Sequence, residues 1–145
     1  MREIVQTDGA VAARALSLRV LVASDLFSFL LFAIGGRVMH SSGGPGDWLV
    51  NTPRILAPFL VGWFAAAVVL GAYPRDGRIG MRRFALNSVL AVLFGNAIGF
   101  TLRATVFGDG VALIFIAAAL GLTTLVVVGL RLLYFWHILG SSVDS

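Results

Sequence analysis

Four long apolar stretches, separated by short polar segments, dominate the pattern of residues along this chain. A helix needs about twenty mostly apolar residues to cross the hydrocarbon core of a bilayer. The stretches therefore predict transmembrane helices at about residues 17–39, 53–73, 84–105 and 110–137. Residues 1–16 form a polar segment before them and 139–145 a short tail, so 17–138 is predicted to be one domain. The predicted fold class is all-α, an integral membrane bundle of four transmembrane helices.

Turn and capping residues predict where the second helix begins and ends. Thr52 is suited to cap free backbone N–H groups, and Pro53 at the first helical position lacks the N–H that would go unpaired. The Tyr73-Pro74 pair predicts the end of the helix. The segment from Ser41 to Asp47 is rich in Gly, Ser and Pro and is predicted to be a loop. A short connection at residues 107–110 predicts that the third and fourth helices form an antiparallel hairpin.

Composition agrees with a chain that is mostly surrounded by lipid. Hydrophobic residues make up 59% of it and charged residues 12%, against roughly 45–50% and about 25% in soluble proteins. The mean hydropathy is +0.95. Because the chain has no cysteine, disulfides, cysteine-ligated metals and thiol nucleophiles are excluded.

All eleven basic residues are arginines, and they bracket the apolar stretches instead of forming a basic face. This distribution indicates contact with lipid phosphates and argues against a nucleic-acid partner. On one predicted side of the membrane lie Arg2, Arg14, Arg19, Arg75, Arg78, Arg82, Arg83 and Arg131. On the other side lie Arg37, Arg54 and Arg103. The positive-inside rule then predicts that both termini face the cytoplasm, in a multi-pass protein of the cell (cytoplasmic) membrane.

Small residues at four-residue steps predict where two helices pack closely. Ala91, Gly95 and Gly99 form such a stripe in the third helix, and Ala117 and Gly121 have the same spacing in the fourth. Lipid tails are as apolar as leucine, so helices associate through close backbone approach more than through the hydrophobic effect. We therefore expect these two stripes to face each other. The alternative is a chance spacing in a chain that contains 17 glycines.

Pro58 is expected to kink the second helix because it removes one backbone hydrogen bond. Such a kink serves packing alone or, in a small channel or transporter, opens a cavity beside Trp63. The sequence leaves both interpretations open.

Asp25 is the most informative ionisable residue, since it lies six to eight positions into the first helix. A carboxylate inside a membrane costs about 2.5–3.5 kcal/mol on insertion scales. Asp25 must therefore face protein, hold a partner or carry a proton. Arg131 is the predicted partner, because it lies at a similar depth from the same side. The pair is either a packing contact between the first and fourth helices or, alternatively, a site where Asp25 couples transport of a proton or cation.

On the opposite side, Arg37 and His40 end the first helix, Arg54 opens the second and Arg103 approaches the end of the third. Together they predict a mouth that attracts anions. The alternative is that each arginine reaches a lipid phosphate independently, as long side chains near helix ends usually do.

No arrangement of residues indicates an enzyme, a metal site or a cofactor. His40 and His137 are predicted on opposite sides of the bilayer, so they cannot both ligate one haem iron. The chain has no HExxH, Walker, GxSxG or GxGxxG motif. We therefore expect no catalytic residues, no metal and no cofactor. A haem or chlorophyll-type pigment ligated by a single histidine is the alternative that the sequence leaves open.

Several of these residues form a recognisable pattern. Its elements are Asp25, Phe32-Ala33-Ile34-Gly35-Gly36-Arg37-Val38-Met39-His40, Pro58-Phe59-Leu60-Val61-Gly62-Trp63, Gly99, Arg103 and Arg131. In these residues the chain resembles an uncharacterised prokaryotic membrane family, domain of unknown function 3054. The resemblance spans Asp25 to Arg131. It implies four membrane helices in a bacterial or archaeal protein, and it brings no activity, ligand or cofactor.

Two functions are compatible with this sequence. The first is a structural or accessory component of a membrane assembly, present as a homo-oligomer or as one subunit of a larger complex, with the bilayer as its other partner. The second is a small-solute or ion transporter or channel in which Asp25 titrates and the outer arginines attract an anion. A pore would need at least a homodimer, because four helices enclose little space.

Overall fold

The computed structural model describes residues 16–40, 44–75, 79–106, 108 and 113–140, without the side chains of 37–40, 45–50 and 139–140. The helices are α1 (Leu18–His40), α2 (Pro45–Val69), α3 (Met81–Val106), α4 (Leu113–Thr123) and α5 (Gly129–Gly140). A π-helical turn, Thr124–Val128, joins α4 to α5, so the two helices form one span. Within these described residues, four spans are long and apolar enough to cross a membrane. The predicted all-α bundle of four transmembrane helices is therefore confirmed, whereas its orientation stays a prediction.

The second helix begins earlier than the sequence pattern predicts. It starts at Pro45, and Gly44 stands at the capping position with extended backbone. The prediction of a start at Pro53 was wrong. Pro45 satisfies the same preference for proline in the first turn of a helix, and it lies eight residues earlier in the chain. Pro53 and Pro58 consequently lie inside the helix. Of the predicted loop, residues 45–47 are helical, and 41–43 lie outside the described residues.

The same helix ends at Val69 and not at Tyr73. Gly71 has a positive φ of 65°, which a glycine adopts without steric cost. The Ala72 N–H donates to the Ala67 carbonyl at 2.8 Å, and the Gly71 N–H donates to the Val68 carbonyl at 3.3 Å. These two bonds form a Schellman motif, which satisfies carbonyls at the helix end. Residues 70–75 are therefore a defined turn that leads the chain back toward α3.

Glycines allow the backbones of α2 and α3 to approach each other closely. A Cβ added to Gly62 would overlap the Gly95 carbonyl oxygen, and one added to Gly95 would lie 2.9 Å from the Trp63 Cα. A Cβ on Gly99 would lie 3.1 Å from the Cα of Phe59. The α3 stripe therefore faces α2.

The predicted packing of that stripe against the fourth span was wrong. Ala117 and Gly121 are exposed, and a Cβ added to Gly121 would meet nothing within 4 Å. The physical reason is Gly62 on α2. Because it has no side chain, the backbone of α3 can lie directly against α2 at this point.

The core along the seam between the spans is largely aromatic. Phe59 makes edge-to-face contacts with Phe32 at 5.5 Å and Phe100 at 5.1 Å between ring centroids. A smaller cluster at the other end of these helices includes Leu21, Phe84 and Phe135. Between the two clusters lie the charged side chains described below.

The π-helical turn was not predicted, since the apolar stretch at 110–137 has no proline or other interruption. A π-helical turn adds a residue to the repeat and so rotates everything that follows it relative to a regular α-helix. Arg131 is the third residue of α5 and lies directly beyond this turn. The turn therefore sets the direction in which the Arg131 side chain leaves the helix.

Candidate functional site

Parts of all four spans meet at one end of the bundle. This end, called here the turn end, is where α1 and α3 begin, where α2 finishes in the turn at residues 70–75, and where α5 lies. Asp25 is seven residues from the start of α1, about 10 Å at 1.5 Å per residue. Ser88 lies at the same distance from the start of α3. Polar groups from different helices therefore reach one level inside the bundle.

Asp25 and Arg131 form an ion pair at this level. The Arg131 Nε donates to Asp25 Oδ1 at 2.8 Å, and Nη2 donates to Oδ2 at 2.7 Å. Both side chains are 0% exposed. A two-point contact of this kind fixes the carboxylate plane as well as its distance, which a lysine ammonium would not do. The ion pair predicted from the matching depths of these two residues is thus present.

The third guanidinium nitrogen also donates hydrogen bonds. Arg131 Nη1 donates to the Ala72 carbonyl at 2.9 Å and to Ser88 Oγ at 3.2 Å. The Ser88 hydroxyl itself donates a hydrogen bond to the Phe84 carbonyl one turn earlier, at 2.8 Å. Arg131 is therefore tied to the turn after α2 and to α3 as well as to α1.

Two aromatic side chains complete the surroundings of the carboxylate. The Tyr73 hydroxyl donates to Asp25 Oδ2, and the Trp63 indole Nε1–H lies 3.3 Å from the same oxygen and 3.1 Å from the Tyr73 oxygen. Burial, and after it the negative charge of Asp25, raise the pKa of Tyr73. The Tyr73 hydroxyl therefore keeps its proton and remains a donor.

Aromatic rings also surround the guanidinium. Its Cζ lies 4.9 Å from the Trp63 ring, 4.9 Å from the Tyr73 ring and 5.6 Å from the Phe84 ring. A cation within about 6 Å of an aromatic ring is attracted by the negative face of the ring. The rings hold Arg131 in place while excluding lipid and water from it. We name the set Asp25, Trp63, Tyr73, Ser88 and Arg131 the charge network.

The charge network joins parts of all four spans through opposite charges that cancel. Asp25 accepts two bonds from Arg131, one from Tyr73 and one from Trp63. Three of these donors contact Oδ2 and one contacts Oδ1, so both carboxylate oxygens are hydrogen-bonded by protein groups. The attraction between the two charges and the additional hydrogen bonds offset the desolvation penalty of burying them. The arrangement suits a fixed connection between helices.

A second polar contact joins α3 to the fourth span. The Asn96 Nδ2 donates to Thr123 Oγ1 at 3.0 Å and to the Val92 carbonyl at 2.8 Å. Thr123 in turn donates to the Ala119 carbonyl at 2.6 Å. Among the described residues, the buried Asn96 Oδ1 accepts no hydrogen bond. Thr123 is the last residue of α4, directly before the π-helical turn. The hydrogen bond between α3 and the fourth span therefore lies at the point where the α-helix changes to the π-helical turn.

The other predicted site residues are placed as follows. Arg37 and His40 are in the last turn of α1, and their side chains lie outside the described residues. Arg54 is exposed. The guanidinium of Arg103 lies 5.2 Å from the centroid of Phe115. A shared anion-attracting mouth formed by these four residues therefore stays a prediction.

The space beside Trp63 is filled by protein. Trp63 is 0% exposed, its ring lies 5.9 Å from that of Phe29, and the Gly95 backbone packs against it. Pro58 is buried in the same seam. The cavity considered as an alternative beside Trp63 is thus occupied by side chains of α1 and by the backbone of α3.

Three members of the charge network were not identified from the sequence. Tyr73 was interpreted as the end of a helix, Trp63 as a packing residue, and Ser88 was not singled out. The signal for Ser88 was only partial, since it is a hydroxyl inside the predicted stretch at 84–105. Its depth matches that of Asp25 only when α3 is known to begin at Met81. The part played by the Ala72 carbonyl had no signal, because it depends on the backbone of the turn.

Comparisons with known proteins identify a family of unknown function. A family model described as "Protein of unknown function (DUF3054)" matches residues 22–134, which include every member of the charge network. No curated protein and no solved structure matches the chain. Among the described residues there is no group of three His, Cys, Asp or Glu side chains that would hold a metal ion. With the match covering more than half of its length and four spans able to cross a bilayer, the chain belongs to the DUF3054 family of membrane proteins.

Proposed function

We propose that this protein is a non-enzymatic structural or accessory component of a membrane assembly, and that the charge network serves to hold its bundle rigid. The observation that carries the proposal is the state of Asp25, whose carboxylate is 0% exposed and accepts four hydrogen bonds from protein donors. A carboxylate that couples transport has to release these partners and meet water in each cycle.

The cost of such a release supports a static role. Breaking a buried ion pair leaves an uncompensated charge and costs about 3–5 kcal/mol. In this protein the release of Asp25 would also leave the Trp63 and Tyr73 donors without their acceptor. The charge network therefore favours one arrangement of the spans, which suits a subunit that presents a constant surface to its neighbours.

The outer surface of the fourth span supports an assembly role. Leu113 is 81% exposed and Leu125 is 72% exposed, whereas Ala117 and Gly121 leave space between the larger side chains. Small residues on an outward face allow the backbone of another helix to approach closely. We propose a homo-oligomer or a complex with another membrane protein, in the cytoplasmic membrane and with both termini in the cytoplasm.

Two experiments test this proposal. Extraction in a mild detergent followed by native mass spectrometry should show the chain as an oligomer or with a reproducible partner subunit. A protein that always purifies alone as a monomer would contradict the assembly role. The absence of cysteine makes orientation simple to measure, because Gly80→Cys should react with membrane-impermeant maleimide only after the cells are opened.

Transport remains the second candidate, with Asp25 as the coupling residue and Arg37, His40, Arg54 and Arg103 as an anion-attracting site. The π-helical turn beside Arg131 favours it, since such turns are frequent at functional sites. Proteoliposomes under a pH gradient discriminate between the two candidates. Under the structural proposal neither the wild type nor Asp25→Asn carries proton-dependent flux, whereas flux in the wild type that Asp25→Asn abolishes would establish transport instead.

A further inference from the structure

Two cavities lie one above the other along the seam between α2 and α3. The first has a volume of about 460 Å³ and lies beside the turn after α2, where Arg75, Arg83 and Asn87 contribute its polar groups. The second has a volume of about 280 Å³, and Ala65, Ala66, Phe94 and Ile98 make it apolar. Val69 and Leu70 line both cavities. The two are therefore parts of one continuous groove.

The register of α3 explains why the groove changes from polar to apolar along its length. Arg83, Asn87, Phe94 and Ile98 follow each other at steps of four, seven and four residues, which places them on one face of the helix. The fifteen residues from Arg83 to Ile98 correspond to about 22 Å along the axis. The polar half lies at the end of the membrane span and the apolar half lies deeper in it.

The groove opens toward lipid and has a fixed wall. Val69 is 83% exposed and Phe94 is 57% exposed, although both lie within the membrane spans. The Asn87 Nδ2 donates to the Gly71 carbonyl at 3.1 Å, and this bond attaches the turn to α3. Tyr73 also lines the polar half, and the hydrogen bond from its hydroxyl to Asp25 fixes its position.

Charge and polarity together identify the ligand class. The polar half carries two arginines, and none of its described lining residues is acidic. Arginine binds phosphate through paired N–H donors, and basic pockets between transmembrane helices at the membrane surface bind anionic lipid headgroups. A free phosphate would use the polar half only, whereas a phospholipid would fill both halves.

From this arrangement we infer that the α2–α3 groove binds one anionic glycerophospholipid. Its phosphate lies between Arg75 and Arg83, and one acyl chain follows the apolar half past Ala66 to Ile98. This inference does not rest on the proposed function, because either a structural subunit or a transporter would present the same groove.

Native mass spectrometry of the delipidated protein tests the headgroup half. With equal amounts of phosphatidylglycerol and phosphatidylcholine carrying the same acyl chains, the wild type should retain phosphatidylglycerol. The double variant Arg75→Gln/Arg83→Gln should bind it roughly 30-fold more weakly, about fivefold for each arginine near an anionic lipid. Arg82→Gln is the matched control, since Arg82 is an exposed neighbour on α3 that does not line the groove. Equal losses in control and double variant, or equal retention of both lipids, would overturn the inference.

A second pair of variants tests the acyl half and distinguishes a lipid from free phosphate. Ala65→Phe places a ring in the apolar half, and Ala118→Phe adds the same ring to an exposed position on α4. Only Ala65→Phe should lose phosphatidylglycerol, and millimolar inorganic phosphate should not displace the lipid from the wild type. Retention by Ala65→Phe would show that no acyl chain lies in the apolar half, and displacement by inorganic phosphate would show a phosphate site in place of a lipid site; either result would overturn the inference.

Discussion

Replacing Asp25 by leucine would leave the guanidinium of Arg131 buried without its counter-ion. Both side chains are 0% exposed. Three of the four hydrogen bonds that Asp25 accepts come from Arg131 and Trp63, which are fully buried and have no access to water. The loss of one partner from a buried pair costs about 3–5 kcal/mol. We expect Asp25→Leu and Arg131→Met each to lower the free energy of unfolding by about that amount.

The double variant Asp25→Leu/Arg131→Met should recover much of this loss, because no buried charge remains. Replacing a buried ion pair by apolar residues of similar volume is often neutral or favourable by about 1–4 kcal/mol. Against this, the Tyr73 hydroxyl and the Ala72 carbonyl lose their partners, at about 1–3 kcal/mol each. We therefore expect the double variant to lie between the single variants and the wild type, with a coupling energy of at least about 2 kcal/mol.

Unfolding in mixed micelles, followed by far-ultraviolet circular dichroism as the fraction of dodecyl sulfate rises, measures these differences. Arg82→Met is the control, since it removes an exposed guanidinium from α3 and should change stability by no more than about 0.5 kcal/mol. A double variant as unstable as the sum of the single variants would refute the reasoning, and so would an Arg131→Met loss no larger than that of the control.

Three further variants test the packing with the same unfolding measurement. Gly95→Leu should lower the free energy of unfolding by about 3 kcal/mol or more, because its Cβ would lie 2.9 Å from the Trp63 Cα. Gly121→Leu is the control and should be nearly neutral, since nothing lies within 4 Å of its Cβ position. Equal effects of the two variants would contradict the packing of α3 against α2. Trp63→Phe replaces a buried indole by a smaller ring and removes the N–H near Asp25. A loss of at least about 1–2 kcal/mol is expected from the bond, with lost packing added, and no loss would exclude that bond. Thr123→Val should cost about 0.6–1.7 kcal/mol through the Asn96 bond, and a stabilised variant would argue against it.

The spans of this protein were predictable because length and apolarity alone determine whether a helix crosses a bilayer. Helix ends were less predictable, since a proline rule fits Pro45 and Pro53 equally well and the sequence does not rank them. The helix seam was assigned wrongly because the second helix was not searched for small residues, although Gly62 and Ala66 are also four residues apart. Gly62 decides which helix approaches α3.

The two charged members of the charge network could be found by a depth argument, and the other three were not. Asp25 and Arg131 are ionisable, and each must have a partner at its own level of the membrane, so the pairing follows from counting residues. Tyr73 and the Ala72 carbonyl belong to the turn after α2. Their positions depend on where that helix ends, which the sequence pattern placed four residues too late, at Tyr73 instead of Val69.

The turn after α2 explains why the charge network and the α2–α3 groove lie next to each other. The left-handed conformation of Gly71 directs its own carbonyl to Asn87 at the wall of the groove. The next two residues face inward, with the Ala72 carbonyl on Arg131 and the Tyr73 hydroxyl on Asp25. Three consecutive residues therefore contact α3, the fourth span and α1 in succession. Because one backbone conformation determines all three contacts, the buried ion pair and the surface groove depend on the same short segment of chain.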